Sequence, residues 1–248
     1  MITFVTAPYR YAPVGCSGSI ISLTDLKAYY KLEDTSDSSG NAKTLTNTGT
    51  VTFASPGKFS NSACFITGST NPTSATKRLD IAEALVGTSN SSNTSGFTFS
   101  GWFKFDNLLT TSEQFLWAYS SSGQRLISIV YNYNAGTRRV ETRFYNGGVD
   151  TASGTYNINF TTGISYHIAF VMQPSTGAHK LWINNSAVIS ATNTTNGNGT
   201  IGNKTVIGNH PSAARTHLGY FDDVAFFNRA LSDSEISTIY NSSCPLNT

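Results

Sequence analysis

Two neighbouring carboxylates stand near the C-terminal end, in the apolar run Gly219-Tyr220-Phe221-Asp222-Asp223-Val224-Ala225-Phe226-Phe227. Burying one such group without a partner is expensive, so the pair either emerges into water or meets a cation. A second set of oxygen donors lies in the early loop Asp34-Thr35-Ser36-Asp37-Ser38-Ser39-Gly40-Asn41. Calcium takes six to eight oxygens from carboxylates, amides, carbonyls and water. Asp34, Asp37 and Asn41 have the donor chemistry of a structural Ca2+ site, and Asp222 and Asp223 are the candidate acids to complete it if the fold brings the two stretches together. The competing reading is that Asp37 and Asn41 close local turns and the Asp pair ends in solvent.

A third candidate is Tyr131-Asn132-Tyr133-Asn134, where aromatic rings alternate with amides. Sugars are held by apolar ring faces together with a few placed polar groups, so this run is a candidate ligand-binding stretch. Catalysis has little support. Glu141 stands between Arg139 and Arg143 without a second acid, and no Gly-x-Ser-x-Gly elbow occurs. The histidines at 167, 179, 210 and 217 lack metal-ligand spacing, and there is no Cys-x-x-Cys.

The elements that must position these groups are strands. Charged residues make up 12% of the 248-residue chain, against about 25% in an average domain. Ser, Thr and Asn supply the polar surface, and these types suit turns and strand surfaces better than helix interiors. Phe97, Phe99, Phe103 and Phe105 alternate with Thr98, Ser100, Trp102 and Lys104, a period of two that reads as a strand. Similar runs recur near 58–67, 77–82, 114–119, 125–133, 138–145, 154–160, 164–172, 178–184, 186–191, 203–208 and 216–227, separated by Gly, Asn and Ser clusters. One short helix is expected from Ser232 to Tyr240, with Ser232 and Glu235 spaced as a capping box. The fold class is all-β, a two-sheet antiparallel jelly-roll sandwich with one short C-terminal helix.

The formal net charge is +2, and the nearest approach to a basic patch, Arg138-Arg139 with Arg143, is split between faces by strand alternation. Nucleic acid is not an expected partner. No apolar run reaches the ~20 residues of a membrane span, and residues 1–10 lack the pattern of a secretory signal. The organisation expected is an arm over 1–24, a domain over 25–242 and a tail over 243–248. In the arm, Phe4, Tyr9, Arg10 and Tyr11 are candidate partner-anchoring residues. Cys16 and Cys244 lie near the two ends, where a bridge would need the termini to meet.

Six segments, in order, resemble the laminin G-like family of the concanavalin A-like lectin/glucanase superfamily. They are Leu26–Leu32 with Asp37–Asn41, Gly57–Phe65, Phe97–Lys104, Tyr166–Val171, Lys180–Asn184 and Asp222–Ile236. The resemblance implies a jelly roll with its first and last strands close together, and a structural calcium in some members. The superfamily's glucanases carry alternating acids along one strand, a run absent here. The expected function is a non-enzymatic binding or structural module, foremost a phage virion surface protein (a capsid decoration, fibre or adhesin) on the virion surface or outside cells. A glycan-binding module of a secreted or cell-surface protein is the alternative, and a glycoside hydrolase is third. Expected partners are a protein surface, through a capsid or self-association, and glycans.

Overall fold

The computed structural model describes residues 21–65, 77–82, 96–108, 114–121, 124–146, 149–173, 176–192, 204–210 and 217–246. The candidate anchors Phe4, Tyr9, Arg10 and Tyr11 lie outside the described residues, as does Cys16. The described strands, in chain order, are β1 (Leu26–Tyr30), β2 (Thr46–Thr48), β3 (Thr52–Pro56), β4 (Asn61–Cys64), β5 (Arg78–Ile81), β6 (Phe97–Phe105), β7 (Gln114–Ser121) and β8 (Gln124–Asn134). They continue as β9 (Thr137–Asn146), β10 (Val149–Asn157), β11 (Ser165–Gln173), β12 (Ala178–Ile183), β13 (Ser186–Thr192), β14 (Lys204–Ile207) and β15 (Gly219–Phe227), followed by helix α1 (Asp233–Asn241).

These strands form two antiparallel sheets. One has eight strands in the order β13-β12-β11-β6-β15-β4-β3, with β1 also paired to β15. The other has seven, in the order β10-β9-β8-β7-β14-β5-β2. The alternation read from the sequence decides which side chains meet between them. Phe97, Phe99, Phe103 and Phe105 of β6 all face the shared core, where they meet Ile129, Tyr131, Val140 and Phe144 of the opposite sheet. Phe103 sits at a crossing of rings, edge-on to Phe105 and Phe160 at 5.5 and 5.2 Å. Close packing of this kind makes the core the main source of stability.

A second apolar cluster lies on the outer face of the eight-stranded sheet. Tyr29, Ala169, Trp182, Ala225 and Phe227 are covered there by Ile236 and Ile239 of α1 and by Leu246. This explains why the β11 segment, apolar at nearly every position, is buried on both faces. The helix starts where the sequence places it. Ser232 is the N-cap, its hydroxyl accepting from the Glu235 amide while the Glu235 carboxylate accepts from the Ser232 amide. Arg229 clamps that carboxylate at 2.6 and 3.0 Å and holds it down to about 2. Because β1 pairs with β15, Tyr30 against Val224, the first and last strands adjoin as the resemblance implies.

Candidate functional site

The Asp222-Asp223 pair departs from simple alternation. Alternation would send the two side chains to opposite faces, but Asp223 has φ 53° and the β15–β6 register shifts between Asp222 and Ala225. The extra residue is a bulge, and it brings both carboxylates to the outer face of the eight-stranded sheet. Asp222 accepts from the Lys58 and Phe59 amides at 2.6 and 3.1 Å. Gly57 makes that approach possible, since a Cβ there would lie 2.4 Å from the Asp222 oxygen. Asp223 accepts from the Tyr29 hydroxyl and from the Leu246 backbone. Burial pushes Asp222 up to about 6, against the pull of its amide donors. Burial again, helped by the charge of Asp222, pushes Asp223 up to about 8. The pair therefore does not end in water: both carboxylates are buried on backbone and hydroxyl donors, and Asp223 also feels the charge of Lys31. It fastens the 57–59 loop, β1 and the C-terminal segment to one strand. In that segment Cys244 is disulfide-bonded, whereas Cys64 is a free thiol.

The early loop is likewise braced from within. Asp37 accepts from the amides of Tyr29, Ser39 and Lys43 at 3.0, 2.9 and 3.0 Å and from the Ser39 hydroxyl at 2.9 Å. Burial alone would raise its pKa, but these donors outweigh burial and hold it below the usual value. Asn41 donates to the Leu26 and Lys27 carbonyls. Asp34 accepts from the Ser36 amide, closing an Asx turn. Calcium needs lone pairs aimed at one point, whereas the Asp37 oxygens are aimed at N–H and O–H donors. Among the described residues no three His, Cys, Asp or Glu side chains gather as metal ligands, and the donor set does not fit a calcium cage. Melting the protein in EDTA and in excess Ca2+ is expected to give the same midpoint; a rise of several degrees in Ca2+ alone would restore the metal.

Tyr131 also differs from expectation. It is buried in the core against Phe105 and Phe160, with its hydroxyl on the Ile158 carbonyl, so it offers no open ring face to a sugar. Strand alternation puts Tyr133, half-buried, on the same inward face. Asn132 points the other way, while the Asn134 side chain lies outside the described residues.

The outward face around Asn132 carries a cluster of charged side chains. Arg139, Glu141 and Arg143 occupy alternate positions of β9 and so share a face; Arg138 goes inward, where it reaches the Leu108 carbonyl at 3.1 Å. The Glu141 side chain is fully buried and accepts from Nε of both Arg139 and Arg143, whose side chains keep 27% and 16% of their exposure. In the neighbouring strand Asn132, Val130 and Ser128 stand directly opposite Arg139, Glu141 and Arg143. Ser128 is buried and its hydroxyl has no hydrogen-bond partner. A similar trio lies farther across the same sheet, where Asp80 accepts from Arg78 at 2.8 Å and Lys204 at 3.1 Å. The first trio shows in the sequence as cation-acid-cation spacing at period two, whereas the second shows only Arg78 and Asp80 two apart, since Lys204 comes from a distant strand.

Two other places bring polar groups or open space together. Ser100 Oγ lies 2.9 Å from His167 Nε2, but both side chains are buried and His167 Nδ1 has no partner. Burial, with the nearby Lys58 charge, pushes His167 down to about 3. Trp102 beside it stacks on Tyr240 at 5.9 Å and lies under Lys58 at 4.4 Å. That is packing beneath α1, out of reach of a substrate. A groove of about 440 Å³ runs between the start of α1 and strands β11–β13, lined by residues including Val171, Lys180, Leu231 and Asp233. Its charges neutralise each other in the exposed Lys180–Asp233 pair.

Two antiparallel sheets packed face to face, with a polar outward sheet face and no open catalytic pair among the described residues, define a lectin-type jelly-roll sandwich. A laminin G model of the concanavalin A-like lectin/glucanases superfamily matches residues 81–237, and the chain belongs to that family. No curated protein matches the sequence. Among solved structures, the chain is similar to domain 4 of AbnA, an extracellular GH43 arabinanase of Geobacillus stearothermophilus, in complex with arabinotriose. The identity is 22% and the TM-score 0.62, over 88% of this chain and 98% of that one. It is also similar to the binding domain of Paraclostridial Mosquitocidal Protein 1, at 17% identity and TM-score 0.63 over 88% of this chain and 52% of that one. A third similar structure is the binding domain of botulinum neurotoxin DC in complex with rat synaptotagmin II, at 10% identity and TM-score 0.64 over 89% and 52%. The chain thus spans about half of each toxin domain. At these identities the likeness is one of fold. No described helix is long and apolar enough to cross a membrane.

Proposed function

We propose that the chain is a non-catalytic glycan-binding module whose contact surface is the outward face of the seven-stranded sheet. The observation that carries this reading is Glu141, a buried carboxylate that fixes two partly exposed guanidiniums beside Asn132. A binding face needs polar groups held in place before the ligand arrives, because ordering long side chains on binding lowers affinity. The Glu141 contacts do that ordering in advance. The arabinotriose complex of domain 4 of the arabinanase adds support, since that domain shares the fold over nearly its whole length. Among the described residues of this face, Asn132 and the two guanidiniums support recognition by hydrogen bonding, while Tyr131 is turned into the core.

The virion-surface display expected from the sequence draws on the arm over 1–24, the hydroxyl-rich surface and the family's spread, and of that arm the structure describes 21–24. Immobilised neutral and acidic oligosaccharides, probed with the native protein and with Asn132→Ala, test the reading. Retention of at least one glycan class by the native chain, weakened in the variant at unchanged melting midpoint, is the expected result. Failure to retain any glycan would overturn it.

A further inference from the structure

We infer that a disulfide between Cys16 and Cys244 joins the two chain ends into a redox-sensitive latch over the outer face of the eight-stranded sheet. The latch is closed when oxidised, and reduction frees its C-terminal half.

The pairing follows by elimination. The chain has three cysteines. Cys244 is disulfide-bonded and Cys64 is a free thiol, which leaves Cys16. The described residues beside the two cysteines agree with it. Ile21 and Leu246, from opposite ends of the chain, are buried in one apolar cluster with Tyr29, Ala225 and Phe227. Cys16 stands five positions before Ile21, and Cys244 two before Leu246. An extended chain advances at most about 3.6 Å per residue, so both cysteines are tethered within reach of that cluster.

The two halves of the latch are held unequally. On the N-terminal side Arg229 donates to the Ser22 and Thr24 carbonyls at 2.9 and 3.1 Å, and Glu235 fixes the same guanidinium. On the C-terminal side α1 ends at Asn241. Beyond it the Ser242 hydroxyl bonds the Cys244 amide and carbonyl, a local turn that does not tie the segment to the sheet. Leu246 is anchored by its buried side chain and by its amide on Asp223. So short an anchorage opens at little cost. The covalent bond to the firmly held N-terminal segment keeps the cover in place.

Opening by a dithiol is balanced. The dithiol supplies two electrons and two protons and closes to its own disulfide, leaving two cysteine thiols. Such bonds persist in oxidising surroundings and are reduced in the cytosol. The latch thus closes once the chain has left a reducing compartment.

Tryptic mapping without reductant, followed by amide exchange of the ¹⁵N-labelled chain with and without dithiothreitol, tests the inference. Peptide 11–27 is expected joined to 230–248, with Cys64 alkylated in 59–77. Dithiothreitol is expected to speed exchange of the Leu246 amide at least about tenfold while the β6 amides stay protected, and to lower the melting midpoint by roughly 5–10 °C. Cys16→Ser is expected to show the reduced behaviour without reductant, and Cys64→Ser to match the native chain in both readouts. A covalent dimer, or any linkage other than 11–27 to 230–248, would overturn the pairing. An unchanged Leu246 exchange rate after confirmed reduction would overturn the latch.

Discussion

Asp223→Asn is expected to melt several degrees above the native protein at pH 8 and at the same temperature at pH 4. The sign follows from the direction of the shift. Asp223 in the fold is raised from 3.8 to about 8 by burial and by the charge of Asp222. The folded chain thus holds this proton more tightly than the unfolded chain does. The stability linked to it is full below the unfolded value near 4 and is lost as the pH rises through the folded value. Asparagine has no charge to lose and can still accept from the Tyr29 hydroxyl and the Leu246 amide. A few kcal/mol of linkage corresponds to roughly 5–10 °C in a domain of this size. His167 and His217, both pushed down to about 3 by burial, act in the opposite sense, losing stability as the pH falls below 6.5. They are common to both proteins and cancel in the difference. Melting curves from pH 4 to 9 check this; a difference that does not grow with pH would place the Asp223 charge elsewhere.

Glu141→Ala is expected to destabilise the fold by about 3–5 kcal/mol, the penalty for breaking a buried ion cluster from one side. The carboxylate is fully buried and is the shared acceptor of two guanidiniums. Removing it takes the shared acceptor from two neighbouring like charges and leaves a cavity. Glu141→Gln is expected to fall between, since it keeps the shape and one acceptor. Urea unfolding at neutral pH measures both. A loss below about 1 kcal/mol, the size of an exposed pair, would mean that the trio is an ordinary surface feature without pre-organisation.

Much of the sandwich was legible because burial has a period. The Phe97–Phe105 alternation gave the central strand, and the Ser232–Glu235 spacing gave the helix start. The short strands β2 and β3 were not, since Thr46–Thr48 and Thr52–Pro56 are largely exposed and carry little apolar signal. The site was less legible than the fold. Asp222 and Asp223 look like a metal pair in one dimension because the bulge that turns both onto one face, toward amide and hydroxyl donors, leaves no mark in residue type. Tyr131 looked like a platform because a core aromatic and a binding aromatic are the same residue; only the register against β9 tells them apart. Arg139, Glu141 and Arg143 do not stand out because a lone acid reads as an incomplete catalyst, whereas in the fold it holds the two cations beside it.

The most direct test of the binding face is backbone amide NMR of the ¹⁵N-labelled chain titrated with an oligosaccharide that the immobilised panel retains. The account predicts that the largest shift changes fall in Ser128–Asn132 and Arg139–Arg143, on adjacent strands of the seven-stranded sheet. Changes concentrated instead along β11–β13 and the start of α1 would contradict it and move the contact to the opposite side of the sandwich.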